Sequence, residues 1–93
     1  MEITQRDYNV IDSIINSQID LIQYYKMWSK RLKNLQYIKE EQDMVLGMVV
    51  SGVDQEIQTR YTRIKGKPVP SELQGAIIKR LYYRMHEIKD KLS

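Results

Sequence analysis

The chain has 93 residues, 42% of them hydrophobic, a formal net charge of +3 and no cysteine. That length supports one domain with a modest core, residues 1–93, and that hydrophobic content excludes a disordered chain. The missing thiols exclude disulfides and cysteine metal sites and make the reducing cytoplasm the expected setting; no run reaches the roughly 20 apolar residues that cross a bilayer, so no membrane partner is expected.

Thr4, followed three residues later by Asp7, reads as a capping pair for a first helix. Between Val10 and Leu35 the apolar residues recur at helical spacing over an arc of roughly 180°, wider than the stripe of an ordinary surface helix. Tyr24, Tyr25 and Trp28 belong to that arc. Gln18 and Ser29 fall inside it and need hydrogen-bond partners if buried. No Gly or Pro interrupts residues 3–46, so Asn34, which tolerates the left-handed conformation, is the expected breaker. A first helix over about 5–34 follows, since an unbroken helix to residue 64 would be roughly 90 Å long.

Charge supports a reversal there. Residues 21–39 carry Lys26, Lys30, Arg31, Lys33 and Lys39 with no acid, and residues 40–56 carry Glu40, Glu41, Asp43, Asp54 and Glu56 with no base. An antiparallel hairpin sets basic 26–33 beside acidic 40–43, and the acidic N-terminus beside basic 60–67. Each exposed pair is worth about 0–1 kcal/mol, enough to disfavour a parallel arrangement but not to hold a fold.

The second helix is expected over about 38–64. Ten uncharged residues lie between Asp43 and Asp54. Val45, Leu46, Val49 and Val53 share one face, continued by Ile38, Ile57, Tyr61 and Ile64. Met44, Gly47, Met48 and Ser51 form a second face. A helix apolar on both sides must be covered on both, by its own chain or by a partner. Small residues admit a close neighbour and methionine adapts to irregular ones, so this second face is the expected partner or oligomer interface, a homodimer included.

Gly66, Pro68 and Pro70 close that helix, and Ser71-Glu72-Leu73-Gln74 has the form of a capping box opening a third, over 71–92. Leu73, Ile77, Leu81, Met85, Ile88 and Leu92 make its apolar stripe. Lys79, Tyr83 and His86 then point outward, flanked by Arg80, Tyr82 and Arg84. With Arg60, Arg63, Lys65 and Lys67 they form a basic, aromatic surface suited to phosphate contacts and base stacking, or to solubility alone.

Catalytic signals are weak. His86-Glu87-Ile88-Lys89-Asp90 has the outline of a helical zinc-protease motif, but this is the only histidine and the second ligand is Asp90. Gly66-Lys67 lacks the remaining residues of a phosphate loop. No metal, cofactor or catalytic residue is expected, and the chain reads as a non-enzyme.

Arg6 followed by Ile11-Asp12 is similar to the opening of the small all-helical chorismate mutases, which share the length and a long first helix. That family's second arginine would fall on Gln23, and residues 37–56 hold no arginine. The resemblance is one of architecture. The chain therefore reads as an all-α, three-helix antiparallel bundle, oligomeric, that binds a protein partner as a regulatory module of the kind frequent among phage and mobile-element accessory proteins. A small DNA- or RNA-binding regulator is the alternative.

Overall fold

The computed structural model describes residues 2–93, and these form helices joined by short turns with no strand among them. The helices are four: α1 (Gln5–Asp20), α2 (Ile22–Asn34), α3 (Glu41–Lys65) and α4 (Ser71–Leu92). The expected first helix is thus two helices. Leu21 separates them with ψ of −4°, and its N–H donates to the Gln18 carbonyl at 3.1 Å in a tight i→i−3 turn, before Tyr25 N–H returns to the Leu21 carbonyl at 3.0 Å. No glycine or proline marks this break, so periodicity alone runs through it.

Local chemistry explains the other ends. Asp7 N–H donates to the Thr4 hydroxyl at 3.2 Å and Thr4 N–H donates to the Asp7 carboxylate at 2.9 Å, which completes the capping box of α1. At the end of α2 the left-handed residue is Gln36, at φ 66°, and not Asn34. Tyr37 N–H reaches the Leu32 carbonyl and Gln36 N–H the Lys33 carbonyl, both at 2.9 Å, which is the bonding of a Schellman motif. Residues 38–40 stay outside the helix, so α3 starts at Glu41. Gly66, left-handed at φ 69°, ends it.

The α4 start falls at Ser71 as expected, but the capping box does not form. Pro70 occupies the cap position in an extended conformation, its carbonyl accepts from Leu73 and Gln74 N–H at 3.1 Å each, and Ser71 becomes the first helical residue. The Gln74 amide donates to the Val69 carbonyl at 3.1 Å instead of reaching back to Ser71.

All four helices contribute to one buried cluster. Ile11, Ile14 and Ile15 of α1 and Ile22 of α2 meet Val45, Val49, Val53 and Ile57 of α3, with Leu73, Ile77, Leu81, Ile88 and Leu92 of α4. These are the stripes that spacing predicts on α3 and α4, except that Ile38 lies outside α3 and that Leu46 and Tyr61 are half-buried. Met85 is half-buried, and Ile64, in the last turn of α3, is 76% exposed because the buried stripe of α3 stops at Ile57. The molecule measures 45 × 26 × 18 Å, and its shortest dimension holds about two layers of helices 8–10 Å apart. A body this thin leaves much of each helix uncovered.

Lys33 lies 3.9 Å from Glu41, as the charge blocks predict for the α2–α3 turn. Among the described residues no ion pair joins the acidic N-terminus to residues 60–67. Asp12 pairs instead with Arg80 and Arg84 across the α1–α4 seam.

Candidate functional site

The Met44, Gly47, Met48 and Ser51 face of α3 lines a groove of about 680 Å³, closed on its far side by Gln18 and Tyr25. Gly47 and Ser51 are exposed, while Met44 and Met48 are half-buried. Gly47 has open space where a Cβ would stand; Gly52, five residues on, does not, because a Cβ there would overlap the Gln18 side chain. Gly52 therefore leaves the space that the Gln18 amide fills against α3. Gln18 is buried, and its side-chain oxygen accepts from the Tyr25 hydroxyl at 2.6 Å, which fixes that ring as a groove wall.

The apolar surface continues beyond the groove. Tyr24 packs beside Tyr25 at a centroid distance of 6.2 Å and meets Trp28 edge-on at 6.4 Å. Tyr24 is 53% exposed and Trp28 40%, and Leu21 and Met27 are exposed with them. The Arg31 guanidinium lies 5.7 Å above the Trp28 ring. Sequence periodicity assigns Leu21, Tyr24 and Trp28 to a buried arc, and the structure turns them outward. The available signal is the width of the arc: one helix in a thin bundle cannot bury 180° of its surface, so part of it must face out.

Ser29, one turn beyond Tyr25 on the inward side of α2, is fully buried and its hydroxyl has no hydrogen-bond partner among the described residues. Its small volume serves the α2 packing rather than a polar contact. On the flank of α3 facing α4, a second groove of about 430 Å³ runs past Val50, Gln74 and Ile78, with Gly47 and Ser51 shared between the two. The outward face of α3 is thus a low ridge with a groove on either side.

The basic surface expected on α4 divides in two. Arg80 makes a bidentate pair with Asp12, at 2.9 and 2.8 Å, and its guanidinium lies 5.8 Å from the Tyr8 ring. Arg84, whose side chain is 15% exposed, bonds the Asp12 carbonyl, the Asn16 side chain and Glu87. Hydrogen bonding from Arg80 holds the Asp12 carboxyl below its usual range and in turn raises the Arg80 guanidinium; hydrogen bonding from Arg84 likewise lowers Glu87. Both arginines are therefore occupied within the fold. Arg60 pairs with Glu56 at 2.7 Å on α3. Lys79, Tyr82, Tyr83, Arg63, Lys65 and Lys67 remain exposed, without an ion pair among the described residues to any of the four lysines and arginines. His86 is exposed and 3.8 Å from Asp90, and no cluster of three metal-ligating side chains is found among the described residues.

Comparison with protein families, with curated proteins and with solved structures finds no match to this chain. Its function rests on its own geometry. The positions singled out by the chorismate mutase resemblance, Arg6 and Gln23, are both exposed, and Asp12 is engaged by Arg80 and Arg84. No helix among the described residues is long and apolar enough to cross a membrane.

Proposed function

We propose that this chain is a non-catalytic binding module that docks a helical protein segment on the outward face of α2 and α3. One observation carries the reading: the groove beside Met44, Gly47, Met48 and Ser51 is walled by Tyr25, whose ring packs against the exposed Tyr24, which in turn meets the exposed Trp28. Exposed aromatics beside a ridge of small residues suit a partner helix, whose own side chains fill the grooves while its backbone approaches at Gly47. The nucleic-acid alternative is weakened because Arg80, Arg84 and Arg60 already have carboxylate partners.

A photo-crosslinking residue tests this directly when placed at Gln55, on the groove rim, and separately at Tyr83, on the exposed side of α4. Protein adducts at Gln55 and none at Tyr83 are the expected result. Nucleic-acid adducts at Tyr83 with none at Gln55 would reverse the assignment.

A further inference from the structure

Resting on that reading, we infer that the segment docked on the α2–α3 face is the same face of a second copy of this chain. The first support is continuity: the face is one apolar surface shared by two helices, so it offers both a ridge and a groove to an identical surface. Lys33 lies beside Glu41, and Tyr25 lines the same groove as Met48 and Ser51, so α2 and α3 run antiparallel with residue 33 level with 41 and residue 25 level with about 48.

The second support is charge. The run 21–39, which contains α2, carries five bases and no acid, and 40–56, the first two-thirds of α3, carries five acids and no base. Of these, Arg31 stands on the face over the Trp28 ring, and Asp43 is exposed in the acidic first turns of α3, so the α2 side of the face carries a positive charge and the α3 side a negative one. Two such faces can meet about a two-fold axis in two ways. An axis across the helices lays α2 on α2 and α3 on α3, which sets like charges together. An axis along the helices lays α2 of each copy on α3 of the other, which sets Arg31 over the acidic first turns of the other copy's α3. Packed helices lie 8–10 Å apart, about one Debye length at physiological salt, so the choice between the two is felt even by side chains at the edge of the contact.

The second arrangement is isologous and closes as a dimer. It keeps the levels of the hairpin, so Arg31, stacked over Trp28, meets the level of Asp43 in the other copy. Tyr24 and Trp28 cover the Gly47–Ser51 ridge, where no Cβ obstructs residue 47. Tyr24, Trp28 and the Gly47–Ser51 ridge, open in the single chain, thereby gain a neighbour.

Mass measurement by light scattering or sedimentation on the full chain tests the pairing. At about 100 μM the expected species is a dimer of twice the chain mass, which weakens as salt is raised. Ser51→Arg, at an exposed position, should give a folded monomer. Arg31→Glu and Asp43→Lys should each raise the dimer Kd by about tenfold or more, and the two together should recover part of the loss. Helical circular dichroism establishes that each variant is folded. A monomeric wild type at that concentration would overturn the self-pairing, as would a dimer unmoved by Ser51→Arg. If the wild type is monomeric while Gln55 still crosslinks a different protein, the self-pairing falls and the docking face stands; if Gln55 crosslinks nothing in either case, both fall.

Discussion

The α1–α4 seam and the α2–α3 face are built from opposite materials. Along the seam a polar cluster is satisfied internally: Asp12, Arg80, Arg84, Asn16 and Glu87 give one another their hydrogen bonds. On the α2–α3 face, Tyr24, Trp28, Gly47 and Ser51 have the composition of an interior and stand in solvent. Composition alone would make the charged seam the working surface and the apolar face the core. What decides is whether a group's interactions are already complete within the chain: paired charges have little left to offer a ligand, and open apolar area does.

The comparison is sharpest at two glycines of α3. Gly52→Ala presses a methyl group into the buried Gln18 side chain and should destabilise by about 1–3 kcal/mol, with loss of the Tyr25–Gln18 hydrogen bond. Chemical denaturation gives the size, and a midpoint at or above wild type would show that the Gln18 amide is not held in place against Gly52.

On the seam, Asp12→Ala should cost about 1 kcal/mol, limited by partial exposure of the carboxylate and of Arg80. The pH dependence has a defined sign. Asp12 and Glu87 both titrate below their unfolded values, so their contribution is complete above about pH 4–5 and is lost as pH falls through their folded values. Wild type should lose more stability than Asp12→Ala on acidification below about pH 4. Parallel curves would mean that Asp12 is no better stabilised in the fold than in the unfolded chain.

The smallest effect has the opposite sign. Gly47→Ala meets open space in the single chain and should stabilise the folded monomer by about 0.5–1 kcal/mol through helix propensity. The same methyl stands on the ridge where a docked helix approaches, so binding should weaken while stability rises. If both rise together, the ridge is not a contact.

Much of this division was legible in the sequence. The stripes Val45–Val49–Val53 and Leu73–Ile77–Leu81 announced the buried faces of α3 and α4, because apolar residues at helical spacing fall on one face that packing can cover. Met44, Gly47, Met48 and Ser51 were legible as a second face for the same reason. The break at Leu21 was not, since a single tight turn needs no special residue. Nor was Gln36, because its left-handed conformation is set by the closing bonds to Leu32 and Lys33 and not by its own preference. Pairing was least legible of all. Arg80 and Arg84 are 68 and 72 residues from Asp12, and no local pattern records which charges will meet across a seam.

The single tryptophan sits on the face in question, so its fluorescence reports on that face alone. Trp28 emission and its quenching by acrylamide should be measured on the dilute chain and again under conditions where mass shows a complex with a second copy or another protein. If α2 and α3 form the docking face, Trp28 moves from 40% exposed toward burial, with emission shifting to the blue and quenching falling. Unchanged emission and quenching while the mass shows a complex would place the contact elsewhere and contradict it.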